Sequence, residues 1–119
     1  MNLLIVDDNA AVRRLIADIV TPFADEIREC AHGAEALSAY NAQRPDLVLM
    51  DIRMEGVDGI EATRRIKAAD PTARIVIVTD YDDDDALHQA AIGEGACGYL
   101  LKDNLLDLVR LFEDLGDKK

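Results

Sequence analysis

Five polar residues stand directly behind short apolar runs, and their types suit chemistry on an anion. Asp7 and Asp8 follow Leu3-Leu4-Ile5-Val6, and Asp51 follows Leu47-Val48-Leu49-Met50. Thr79 follows Ile75-Val76-Ile77-Val78, and Lys102 follows Gly98-Tyr99-Leu100-Leu101. The set is three carboxylates, a hydroxyl and an ammonium. Carboxylates a few ångströms apart raise one another's pKa, so three together want a cation between them. A hard divalent ion with oxygen ligands, Mg2+ before Ca2+, is the natural occupant. One carboxylate can then act as a nucleophile toward phosphorus. The metal, the lysine and the hydroxyl would neutralise and hydrogen-bond the phosphoryl oxygens.

These groups meet only if the backbone gathers the ends of the runs. Apolar runs of four without alternation suit strands buried on both faces of a parallel sheet. The half-polar Ile27-Arg28-Glu29-Cys30 reads as an edge strand. Helical spacing lies between the runs. Val12, Leu15, Ile16, Ile19 and Val20 mark a first helix, with Asp8 or Asn9 as N-cap and Pro22 beyond its end. Ala36, Leu37 and Tyr40 mark a second, ended before Pro45. Ile60, Thr63, Ile66 and Lys67 mark a third, capped by Asp58. Leu87, Ala90 and Ala91 mark a fourth, closed by Gly93 or Gly95. Leu105, Leu108, Val109, Phe112 and Leu115 mark a fifth, capped by Asn104 and stopped at Gly116. Strand–helix alternation repeated five times predicts an α/β fold with a doubly wound parallel sheet. All carboxyl ends of such a sheet lie on one edge, where ligands bind.

Bulk composition fits this reading. The 119 residues make one domain, 1–119, and half are hydrophobic, ample for a core. Acids number 24 against 13 lysines and arginines, a net charge of −11, which argues against direct contact with nucleic acid or an anionic membrane. No run approaches the ~20 apolar residues of a membrane span, and the start of the chain lacks the basic region of a signal peptide. A cytoplasmic location is expected. Cys30 and Cys97 read as small packing residues in a reduced compartment. His32 and His88 have no partner at metal spacing and read as plain surface or turn residues.

The motifs together resemble the receiver domains of two-component response regulators. They are Leu-Leu-Ile-Val-Asp-Asp-Asn at 3–9, Asp-Leu-Val-Leu-Met-Asp-Ile-Arg-Met at 46–54, Val-Asp-Gly at 57–59, Val-Thr-Asp at 78–80 and Gly-Tyr-Leu-Leu-Lys-Asp at 98–103. The resemblance covers essentially the whole chain. It implies a flavodoxin-like (βα)5 fold with strand order 2-1-3-4-5. It implies Asp51 as phosphoacceptor, Asp8 as a direct Mg2+ ligand with Asp7 acting through water, and the main-chain carbonyl of Arg53 completing the metal site. Thr79 and Lys102 would bind the phosphoryl oxygens, and Thr79 with Tyr99 would form the switch. The implied function is Mg2+-dependent phosphoryl transfer to Asp51 from a histidine kinase or histidine phosphotransfer protein. The surface of the fourth helix, fifth strand and fifth helix would change for an output protein or a homodimer. The chain would catalyse its own phosphorylation and dephosphorylation without being a turnover enzyme. With strands two and five on opposite edges, four spacings separate Cys30 from Cys97 by about 19 Å. A disulfide needs Cα atoms within about 7 Å, so an intramolecular one is excluded by that order.

Three positions depart from the family pattern. Glu55 and Asp103 stand where proline is common, and Asp80 stands where a small residue is usual. Asp80 opens the acidic run Asp80-Tyr81-Asp82-Asp83-Asp84-Asp85, which reads as a solvated loop suited to a helix N-terminus. A sharper reading has Asp80, Tyr81 and Arg53 setting the lifetime of the aspartyl phosphate. Other functional classes fare worse. A phosphorylation-independent module has no need of the full set of Asp7, Asp8, Asp51, Thr79 and Lys102. A haloacid-dehalogenase-type phosphatase needs an acid where Arg53 stands, and a flavin phosphate would be repelled by Asp7 and Asp8. The resemblance fits either a stand-alone receiver or a piece of a longer regulator.

Overall fold

Successive residues of a strand point to opposite faces, so an unbroken apolar run demands cover on both. The computed structural model, which describes residues 1–80 and 85–117, meets that demand. Strands β1 (Asn2–Val6), β2 (Glu26–Cys30), β3 (Leu47–Met50), β4 (Ile75–Thr79) and β5 (Gly98–Leu101) form one parallel sheet in the order β2-β1-β3-β4-β5. Helices α1 (Ala10–Val20), α2 (Ala36–Gln43), α3 (Gly59–Ala69), α4 (Asp85–Gly93) and α5 (Leu106–Asp117) follow the strands in turn. The fold is the five-stranded, doubly wound α/β arrangement that the sequence predicts.

Alternate residues divide the core into two layers. Leu3, Ile5, Leu47, Leu49, Val76 and Val78 pack with Ile16 and Val20 of α1 and with Leu108 and Phe112 of α5. Leu4, Val6, Val48, Met50, Ile75 and Ile77 pack against α2, α3 and α4 through Tyr40, Ile66 and Ala91. The three central strands are almost wholly buried, whereas β5 is half-buried along its length and β2 is mostly exposed. The half-polar composition of β2 thus reflects its edge position.

Helix starts follow local chemistry. The Asn9 side chain accepts hydrogen bonds from the main-chain N–H groups of Ala11 and Val12, which settles the α1 cap on Asn9 rather than Asp8. Asp58 caps α3 by accepting from the N–H of Glu61. The fifth helix departs from expectation at both ends. Residues Lys102–Asn104 form a turn of 3-10 helix, so α5 begins at Leu106 and Asn104 sits inside that turn. At the other end α5 runs through Gly116 to Asp117, so Gly116 does not stop it. A glycine costs a helix only about 1 kcal/mol, less still near its end, so it need not be a stop.

The cysteines lie at opposite edges and are both free, in line with the strand order. Cys30 is buried, but Cys97 is exposed and is no core residue. No helix of the described residues is long and apolar enough to cross a membrane.

Candidate functional site

The two central strands carry their acidic residues one step past the last strand residue, yet still inside the hydrogen-bond ladder. The N–H of Asp51 donates to the carbonyl of Val6 at 2.8 Å, and that of Asp7 donates to the carbonyl of Cys30 at 3.1 Å. Both carboxylates therefore sit on a rigid base. Asp7 and Asp51 are buried and Asp8 is exposed, and the three offer oxygen atoms within 4.8 Å of one another. Lys102, the first residue after β5, reaches across with Nζ 2.9 Å from Oδ2 of Asp7 and 3.2 Å from Oδ1 of Asp51. Asp7 is further held through its Oδ1, which accepts from the N–H of Asn9 at 2.8 Å. The Asp7 side chain thus closes a turn at the start of the loop.

The electrostatics of the cluster are unbalanced. Burial, the neighbouring Asp7 and, more weakly, Asp8 push the Asp51 carboxyl up to about 6, against the pull of Lys102. For Lys102, burial opposes the charge, but contacts with Asp7 and Asp51 outweigh it and raise its pKa above the ordinary value. One ammonium faces three carboxylates, a net charge of −2 when all are ionised. Such a set of hard oxygen donors, two of them buried, fits a hard divalent cation.

The loop after Asp51 is fixed by close packing. The Gly59 N–H donates to the carbonyl of Ile52 at 2.7 Å. A Cβ at Gly59 would lie 1.9 Å from the main-chain oxygen of Asp51, so no larger residue fits without moving the carboxylate's own backbone. Arg53 is exposed. It lines a cavity of about 470 Å³ together with Ile52, Met54, Glu55, Gly56, Asp58 and Leu87. Asp58 belongs to the α3 cap and not to the carboxylate cluster.

Thr79 is fully buried at the end of β4, paired with Leu101, the residue before Lys102. Asp80 is exposed next to it. Tyr81, Asp82, Asp83 and Asp84 lie outside the described residues, as do Lys118 and Lys119. Tyr99 is not part of the cluster. It lies half-buried within β5, and its ring stacks on His88 of α4 with centroids 4.3 Å apart. His88 is exposed, as expected of a surface residue, and in addition carries this ring contact.

Two further residues escaped the sequence reading. Arg13, mostly covered on α1, donates from Nη1 to the main-chain oxygen of Asp7 at 2.7 Å and from Nε to Glu29 at 3.0 Å. It ties the loop bearing the acids to β2. The signal was a cation one helical turn past the acidic pair. Gly59 stands within the Val-Asp-Gly motif, and its steric necessity follows only from the Asp51 backbone beneath it.

Comparison with known proteins agrees with this geometry. The family model for the response regulator receiver domain matches residues 3–113. The DNA-binding transcriptional activator DevR/DosR of Mycobacterium tuberculosis is 34% identical over 119 residues, covering 98% of this chain and 54% of its own. The chain thus spans about half the length of that relative. A solved two-component response regulator of the LuxR family from Aurantimonas sp. SI85-9A1 superposes with a TM-score of 0.87 at 33% identity, covering 96% of this chain and 83% of its own. The CheX–CheY–BeF3–Mg2+ complex from Borrelia burgdorferi contains a chain with a TM-score of 0.82 and 27% identity, covering 92% of this chain and 86% of that one.

Proposed function

The chain belongs to the response regulator receiver domain family, the phosphoacceptors of two-component systems, and from that premise we propose that Asp51 takes the phosphoryl group. The observation that carries this reading is the buried Asp51 carboxylate, anchored past the end of β3, with Lys102 Nζ at 3.2 Å and two further carboxylates around it. An oxygen of Asp51 attacks phosphorus on a phosphohistidine of a kinase or phosphotransfer protein. The P–N bond breaks, its electron pair stays on the imidazole nitrogen, and that nitrogen takes up a proton. The product is an acyl phosphate on Asp51.

Asp7, Asp8, Asp51 and the main-chain carbonyl of Arg53 would hold Mg2+, which when bound supplies positive charge to the phosphoryl oxygens. Lys102 is already against Asp51 and would follow the new anion, exchanging a carboxylate partner for a phosphoryl one. The buried Thr79 hydroxyl would donate to a phosphoryl oxygen. Its movement would draw Tyr99 inward and alter the face made by α4, β5 and α5 for an output partner or a second copy. The acyl phosphate carries about −1.5 to −2 where the carboxylate carried −1, and with its new oxygens this is a large enough change to bias a bistable loop. Leu15 and Leu106, 50% and 78% exposed, border a groove reaching Lys102, which supports a phosphodonor docking on that side.

Intact-mass measurement with acetyl phosphate and Mg2+ tests the reading. The wild type should gain about 80 Da, the mass of one phosphoryl group, and Asp51→Asn should gain nothing. Equal labelling of both would overturn Asp51 as acceptor. Absence of labelling in both would favour a phosphorylation-independent binding module.

A further inference from the structure

The contact between His88 and Tyr99 joins two elements that have no other reason to share an aromatic pair. Tyr99 stands opposite Ile77 in the β4–β5 register and packs on the core layer beneath α4. His88 stands on the exposed side of α4. Their rings lie 4.3 Å apart and 13° from parallel, a face-to-face overlap that ties α4 to β5 three residues before Lys102. We infer that His88 is a positioning residue, which holds Tyr99 in its unphosphorylated arrangement and so sets how readily the switch is thrown. This inference rests on the reading of Tyr99 as the switch aromatic.

The argument is one of differential contact. A ligand shifts a two-state equilibrium only by the difference in its interactions with the two states. A ring that turns inward leaves the imidazole face, so whatever the stack contributes opposes the turn. Stacked aromatic pairs shift an equilibrium by roughly three- to tenfold beyond their buried area. A phosphoryl group on Asp51 must overcome that bias before α4 and β5 can rearrange. The imidazole is exposed and lies outside the carboxylate cluster, so removing it leaves Asp7, Asp8, Asp51 and Lys102 untouched. The effect is therefore separable from any effect on the chemistry of the acceptor.

The test uses the full chain with beryllofluoride and Mg2+ as a phosphoryl mimic, read by binding affinity and by the NMR resonances of the Tyr99 ring. His88→Ala should bind the mimic roughly three- to tenfold more tightly. Its free Tyr99 resonances should move toward the wild-type bound positions. His88→Phe, which can restack, should return both readouts to wild type. With Tyr99→Ala already present, His88→Ala should leave the affinity unchanged. The inference is overturned if His88→Ala binds no more tightly, if Phe fails to restore, or if the gain persists without the Tyr99 ring. A wild type that takes up no mimic, or an Asp51→Asn that takes it up equally, would instead defeat the phosphoacceptor reading beneath it.

Discussion

At the edge of the sheet where strands begin, Asp70 is surrounded by donors. Its Oδ1 accepts from the hydroxyl and the N–H of Thr72, and its Oδ2 accepts from the Tyr40 hydroxyl at 2.6 Å and from Arg44 at 3.1 Å. At the edge where strands end, Asp51 shares a single ammonium with Asp7 and has carboxylates for neighbours. The consequences run in opposite directions. The Thr72 and Tyr40 hydroxyls hold the Asp70 carboxyl down to about 2, while burial and Asp7 push Asp51 up to about 6. One edge spends its charges on closing the fold. The other keeps them short of partners, at a cost in stability that a bound cation would relieve. Functional sites are where proteins tolerate such a deficit.

Neutralising each edge in turn should give opposite signs. Asp51→Asn should stabilise the metal-free chain by about 2 kcal/mol, because it removes a charge that folding must desolvate. Tyr40→Phe should destabilise by about 1–2 kcal/mol, because Asp70 loses a donor that nothing replaces. Urea unfolding of both variants checks the pair, and a shared sign would break the contrast between the edges.

Acidity should separate the edges next. The folded pKa of Asp51 lies above its ordinary value of 3.8, so the native state binds that proton more tightly than the unfolded chain. Its contribution is favourable below about pH 4 and is lost as pH rises through 6. The stability gap between Asp51→Asn and wild type should therefore widen by about 1 kcal/mol from pH 5 to pH 7 without metal. Excess Mg2+ should close it. Asp70 has the reverse dependence, its contribution present above about pH 4 and lost toward pH 2. Denaturant titrations across pH, with and without Mg2+, would expose a flat profile if the deficit at Asp51 were not real.

The smallest effect is expected at Arg13, which braces the acidic loop from outside the cluster. Arg13→Lys keeps the charge but cannot reach both the Asp7 carbonyl and Glu29 with a planar fork. A stability loss under about 1 kcal/mol, with Mg2+ affinity weakened a few-fold by calorimetry, would separate bracing from bulk stability. Unchanged affinity would remove Arg13 from the site.

Much of this was legible in the sequence because parallel sheets impose a simple code. The buried runs of β1, β3 and β4 announce themselves, and whatever follows them must share an edge. That rule alone brought Asp7, Asp8, Asp51 and Lys102 together. The rule is silent on partners that meet across elements. His88 and Tyr99 are eleven positions apart with a loop and a strand start between them, and no periodicity pairs their rings. Arg13 has the sequence context of any helix cation, and only the fold brings it to a main-chain oxygen. The start of α5 was misplaced by one residue because Asn104 is a good cap by type, yet a tighter turn carrying Lys102 toward the carboxylates takes precedence there. Asp58 and Asn9 were readable because capping is decided within three residues.

The half-buried β5 bears on how motion is distributed through the molecule. It is four residues long and hydrogen-bonded to β4 on one side only, while β1, β3 and β4 are each gripped from both sides. Local opening draws on the least-gripped elements, and its free energy can lie far below that of global unfolding. Tyr99 therefore rides on a strand whose amides can open while the central strands stay closed. The molecule keeps a stiff floor under Asp7 and Asp51 and a pliant wall beside Lys102. On the proposed reading, a signal arriving at the floor would leave through the wall without the core having to melt.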